Sequence, residues 1–179
     1  MDMSYVRIRG EKYPVCFSLT AASTIEKHFG GLEPMKRALS SNDPEQVIRA
    51  AEVVLKAMLN AGKAYAHLQF EPVKELPKLT PQLCILAISD LLRSIERDTK
   101  REVFAQSAKR RGKSKEAHEG DAWIYYMGMQ AGLTFQEIQT LPIGAVNDQI
   151  ACYQISKCGA KEKKKTGGSL FEQMKRVRR

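Results

Sequence analysis

Apolar and polar positions alternate over two short stretches near the start of the chain, Tyr5-Val6-Arg7-Ile8-Arg9 and Tyr13-Pro14-Val15-Cys16-Phe17, with Gly10-Glu11-Lys12 between them. Two β-rich runs divided by a short glycine-containing segment predict a tight hairpin. Pro14 sits near the start of the second run, where a missing N–H is tolerated at a sheet edge. The period then changes to that of helices. Thr20 is placed to cap a short helix running to Phe29, and Gly30-Gly31 supplies a left-handed stop. Another short helix is expected over 33–39. Asp43-Pro44 combines a capping oxygen with a proline at the first helical position, and Val47, Ile48, Ala51, Leu55, Met58 and Leu59 follow at helical spacing until Gly62, read as the stop. A proline-rich break over 71–78 precedes Thr80-Pro81, which repeats the cap-plus-proline start. The helix after it is apolar nearly all round over 83–92, which predicts the buried element of the fold.

From 93 to 101 the pattern becomes densely charged, and 106–120 is small, polar and basic, with Lys109, Arg110, Arg111, Lys113 and Lys115. Such a run reads as a solvated linker. Helical signals return at Asp121, a cap for the stretch through Ala131 that Gly132 ends. Thr134 and Glu137 have the spacing of a capping box, and Pro142 starts a last helix with Ile143, Val146, Ile150 and Tyr153 on one stripe. The expected fold is mainly α: an N-terminal β-hairpin and helical bundle over 1–104, a basic linker over 105–120, a small helical module over 121–156 and a basic tail over 157–179. The tail's composition predicts little fixed structure beyond a helical turn or two over 170–174.

Charge sharpens this division. The net charge is +9, yet 121–156 contains no Lys or Arg and three acids, while 157–179 holds nine basic residues against two acidic ones. The first ten residues lack a basic start followed by an apolar run, and no stretch approaches the ~20 apolar residues that span a bilayer. An intracellular protein without a membrane segment is expected. The four cysteines, Cys16, Cys84, Cys152 and Cys158, form no C-x-x-C pair, and His28, His67 and His118 are isolated, so no metal or cofactor is expected. Buried free thiols are the expectation for the cysteines. Glu96 and Asp98 stand two apart on a helix and point in different directions, with Arg93 and Arg97 nearby for surface ion pairing. No catalytic motif occurs, and a non-enzyme is expected.

Residues 131–138, Ala-Gly-Leu-Thr-Phe-Gln-Glu-Ile, resemble the turn of a helix-turn-helix. Reading DNA requires cations for phosphates, and this region has none, so a recognition helix is not expected there. Trp123, Tyr125, Tyr126, Met127 and Met129 form a dense cluster with two open readings, the core of a small helical unit or a partner groove at which charge is depleted.

Two sets of residues resemble the tail assembly chaperones of siphovirus-type phages and prophages. One is Val6-x-Ile8-x-Gly10-x-x-Tyr13-x-Val15-x-Phe17, with Glu26-Lys27-x-Phe29-Gly30-Gly31-Leu32 after it. The other is Gly128-x-x-Ala131-Gly132-Leu133-Thr134-x-x-Glu137-Ile138 before Leu141-Pro142-Ile143-Gly144. The likeness covers much of 1–60 and 121–155, and 61–105 matches only as generic helix. It implies a non-enzymatic protein of the host cytoplasm that holds the tape measure protein, recruits tail tube protein and is absent from the finished virion. In many such phages a programmed frameshift gives a longer form. Candidate protein-binding residues are then Trp123, Tyr126, Met127 and Phe135 in the second unit and Ile8 and Tyr13 in the hairpin. A homo-oligomer joined at the hairpin's free edge is a further expectation, with no specific nucleic acid and no membrane as partner. The alternative reading is a small nucleic-acid-associated phage regulator that uses the basic linker and tail.

Overall fold

A computed structural model describes residues 3–71, 75, 78–106 and 121–162. The fold is mainly helical behind an N-terminal hairpin. Strands β1 (Ser4–Ile8) and β2 (Glu11–Val15) pair antiparallel, with Ile8 opposite Glu11. The expected three-residue connection is therefore a two-residue turn, Arg9-Gly10, and both residues have positive φ, 51° and 83°. Two left-handed residues make the mirror-image turn whose twist suits a hairpin, and glycine at the second position removes half of its steric cost. Val6, Ile8, Tyr13 and Val15 face the core.

Helix α1 (Leu19–Phe29) starts two residues earlier than expected. Its cap is Ser18, whose hydroxyl accepts from the Ala21 N–H, and Gly30 ends it in the left-handed conformation. Thr20 instead uses its hydroxyl across the fold, donating to the Gln139 carbonyl at 3.1 Å. Helix α2 (Leu32–Leu39) follows, and α3 (Pro44–Leu68) begins at Asp43-Pro44 as the sequence predicts, the Asp43 carboxylate accepting from the Glu45 N–H. Helix α3 does not stop at Gly62. It runs two more turns, because Gly62 serves packing: a Cβ there would collide with the Pro14 carbonyl group, so the missing side chain lets β2 lie directly on the helix. The Cys16 N–H completes the contact by donating to the Met58 carbonyl at 3.1 Å.

Helix α4 (Pro81–Thr99) has the predicted Thr80 cap. It is not the most buried element. Cys84, Ala87, Leu91, Ser94, Ile95 and Asp98 face inward, whereas Ile85 and Leu86 are exposed. The buried centre is α3, which is covered by β2, α1, α2 and α4 in turn. One large apolar cluster joins the hairpin, α1, α2, α3 and α4.

After β3 (Ala105–Gln106) come α5 (Asp121–Gln130), α6 (Phe135–Thr140) and α7 (Ile143–Lys157), and then β4 (Lys161–Glu162), which pairs antiparallel with β3. These helices are seated on the first part of the chain. Ser18 and Pro142 form an antiparallel bridge. The Ile143 N–H donates to the Phe17 carbonyl at 3.1 Å, and Leu141 and Ile143 pack against both apolar clusters of the fold. Gly144 admits the start of α7 against the end of α4, since a Cβ there would meet the Lys100 and Asp98 carbonyl oxygens. Asp148 then fixes the chain leaving α4 by accepting the N–H groups of Glu102 and Val103 at 2.8 and 3.1 Å. The linker from 107 to 120, the tail from 163 and the turn expected over 170–174 lie outside the described residues.

Candidate protein-docking face

Helix α5 carries apolar side chains on more of its circumference than its neighbours cover. Met127 joins Leu19, Ile138, Val146 and Ile150 in a second apolar cluster, and Gly128 lets the Ile138 side chain lie directly on α5. Trp123, Tyr126 and Met129 recur every three residues and share the opposite face. They are 46%, 55% and 51% exposed. The Trp123 and Tyr126 rings lie 6.1 Å apart at a tilt. Phe135, at the start of α6, is 55% exposed and stacks on Tyr125 with centroids 4.8 Å apart. Tyr125 is held in turn by Gln139, whose side-chain amide donates to its hydroxyl at 3.2 Å.

The mount is stiff. Thr134 and Glu137 form the full reciprocal capping box at the start of α6. Bonds from the Thr134 N–H and hydroxyl hold the Glu137 carboxyl below the usual carboxylate range, so it stays ionised beside the aromatic face. Gln149 on α7 donates to the Ala131 carbonyl at 3.2 Å and closes the end of α5.

The six residues singled out from sequence thus separate into two groups. Trp123 and Tyr126 lie together on the exposed side of α5 with Met129, and Phe135 stands exposed at the start of α6 against Tyr125. Met127 is 6% exposed and belongs to the core beneath that face, and Ile8 and Tyr13 are core residues of the hairpin, at 1% and 8%. Of the two readings left open for the aromatic cluster, each holds for part of it, because a helix apolar on all sides can bury only the side that meets a neighbour.

Sequence reasoning missed the polar centre of the fold. Asp98, read as a surface ion-pairing residue, is only 5% exposed. Its carboxylate accepts the Phe17 N–H at 2.8 Å and the Ser4 hydroxyl at 3.3 Å, and Arg97 reaches both Asp98 and Ser4. Burial raises the Asp98 pKa, partly opposed by those bonds. The signal was positional: Leu91, Ile95 and Asp98 fall on one helical stripe, which puts the carboxylate on the apolar side. The cysteines also divide. Cys16 and Cys84 are buried, whereas Cys152 and Cys158 are exposed.

A cleft of about 510 Å³ between α1, α2 and α3 is lined by His28, Asp43, Glu45 and Arg49 among others. Asp43 caps α3, and Glu45 pairs with Arg49 at 3.4 Å, so these groups serve the helix start. Among the described residues no group of three His, Cys, Asp or Glu side chains is placed to hold a metal ion. No described helix is long and apolar enough to cross a membrane. No family model, no curated protein and no solved structure matches this chain.

Proposed function

We propose that this chain is a phage tail assembly chaperone that binds the tape measure protein through the α5–α6 face and recruits tail tube protein in the host cytoplasm, with no catalytic role. The observation that carries the reading is the face itself: Trp123, Tyr126, Met129 and Phe135 stand exposed on short helices whose other sides are locked into a packed core. Aromatic and methionine side chains give large, adaptable contact area, and an amphipathic client helix laid across such a face is a common mode of recognition. The absence of Lys and Arg from 121–156 favours a protein client over a nucleic acid.

The test is co-expression with the tape measure protein and, separately, with the tail tube protein, followed by co-purification. Capture of both is expected. Trp123→Ala or Tyr126→Ala alone should weaken the tape measure interaction by roughly 30-fold, as loss of one central aromatic anchor costing about 2 kcal/mol does, and the pair by more. Failure of the wild-type chain to hold either partner ends the proposal. Light scattering with and without client decides whether self-association accompanies binding.

A further inference from the structure

A small polar recess between β1 and α4 lies apart from the aromatic side of α5. We infer that it receives the carboxylate of an acidic residue presented by an extended segment of a protein partner.

Two elements build the recess. Ser4 and Tyr5, neighbours on β1, point to opposite sides of the strand, so Ser4 lies buried at its base and Tyr5, 42% exposed, stands at its rim. The Tyr5 hydroxyl donates to Glu71 at 3.3 Å, which holds the ring. Asp90, Arg93, Ser94 and Arg97 fall at i, i+3, i+4 and i+7 of α4 and form the other wall. The volume is about 190 Å³, below the ~300 Å³ at which pockets for whole drug-sized ligands begin. Only the terminal group of a larger molecule enters.

The donors left over suit a carboxylate. Arg97 uses Nε on Asp98, at 3.5 Å, and one Nη on Ser4, and its other Nη makes no bond among the described residues. Arg93, expected from sequence to form surface ion pairs, makes no ion pair or hydrogen bond among the described residues, and neither does the buried Ser94 hydroxyl. A planar guanidinium fork matches the two oxygens of a carboxylate. Charge narrows the class further. The two arginines are balanced by Asp90 on the same stripe and by Asp98 behind Arg97, so the recess is neutral before anything binds. A carboxylate adds one negative charge, whereas a phosphate monoester adds about two.

The strand register makes a peptide the carrier. Ile8 and Glu11 close the two-residue turn as a hydrogen-bonded pair, and such pairs alternate, so Tyr5 opposite Pro14 exchanges no ladder bonds. Pro14 has no N–H, and its carbonyl lies against Gly62 of α3 instead. The Tyr5 N–H and C=O are therefore directed to the outer edge of the hairpin, beside the recess its side chain lines. A glutamate within an extended segment can meet those main-chain groups, as strand addition does, and a free acid cannot.

The full chain is titrated at physiological salt with acetate, N-acetylglutamate N-methylamide and inorganic phosphate, and binding is read from the arginine Nε–H signals by NMR. Saturable shifts at Arg93 and Arg97 are expected with both carboxylates, the blocked glutamate binding roughly threefold or more tighter than acetate, and phosphate weakest. Arg93→Gln should weaken glutamate binding by roughly tenfold or more, and Arg93→Lys, which keeps the charge and loses the fork, by about threefold. Arg93 is exposed, so both variants should keep the wild-type helical circular dichroism. Arg49→Gln makes the same charge change at an exposed position of α3 and should leave binding unchanged. No saturable shift, or equal affinity in wild type and Arg93→Gln, overturns the site. Phosphate bound as tightly as acetate overturns the carboxylate assignment, and equal affinity for acetate and the blocked glutamate overturns the peptide carrier.

Discussion

Replacing Asp98 tests whether a buried carboxylate ties the hairpin, the start of α1 and the end of α4 into one unit. In Asp98→Ala the Phe17 N–H loses its only acceptor shown, at a site where Asp98 is 5% exposed. An orphaned buried donor costs about 1–3 kcal/mol, and a bond to a charged group contributes about 1.5–3 kcal/mol. Two effects reduce the total. Ser4 keeps Arg97 as a partner, and burial of a charge is no longer required. A loss of about 2–4 kcal/mol is expected, against about 1 kcal/mol for Asp98→Asn, which keeps an acceptor oxygen. The assay is urea unfolding at pH 7 followed by helical circular dichroism, with the slope checked for two-state behaviour.

The pH dependence gives the sign. Burial raises the Asp98 pKa above its ordinary value, so the folded state binds the proton more readily than the unfolded chain. The stabilisation linked to that proton is present below the unfolded pKa of about 4 and is lost as pH rises through the folded pKa. Wild type should therefore gain stability relative to Asp98→Asn as pH falls from 7 toward 4. A gap that moves the other way, or Asp98→Ala within about 0.5 kcal/mol of wild type, the range of ordinary surface substitutions, refutes the account.

Gly62→Ala and Gly144→Ala each drive a methyl group into main-chain atoms that cannot rotate away, and each should cost about 2–3 kcal/mol or more in the same unfolding assay. A neutral Gly144→Ala would contradict the close seating of α7 on α4. Thiol titration of the native protein should show Cys152 and Cys158 reacting fast and Cys16 and Cys84 reacting only on unfolding. Burial raises the Cys16 pKa and so depletes its thiolate. Four similar rates would contradict the burial pattern. Any affinity for duplex DNA should fall steeply between about 50 and 200 mM salt and disappear when the Lys and Arg residues of 107–120 and 163–179 are changed to Ser. Salt-insensitive binding would reopen the regulator reading.

Local signals made the element order readable. The Asp43-Pro44 and Thr80-Pro81 starts, the Thr134–Glu137 box and the Gly30 stop are each made by residues a few positions apart, so a single sequence contains the whole cause. The misreadings arise where the cause lies elsewhere in the chain. Gly62 carries every mark of a stop, yet Pro14 decides its role from 48 positions away. Ile85 and Leu86 continue an apolar run, yet α3 and β1 cover only one side of α4. Asp98 looked like a surface charge until Ser4 and Phe17 arrived opposite it. The candidate face was half legible for the same reason: composition revealed the aromatic excess of α5, and only packing separates Met127 inside from Trp123, Tyr126 and Met129 outside.

Charge and packing together then place the protein's two kinds of surface. Residues 107–120 carry five Lys/Arg against two acids and 163–179 seven against one, so these two segments account for the whole +9 and the remainder of the chain is neutral. A neutral body has no long-range pull on a polyanion, and its distinctive surface is aromatic. The β3–β4 pairing sets the start of one basic segment beside the start of the other, next to α7. Both basic segments therefore leave the described fold from the same short ladder. Acidic residues flanking the apolar stripe of the proposed client would complement these cations, so client peptides with the flanking acids changed to Lys should bind the full-length chain more weakly.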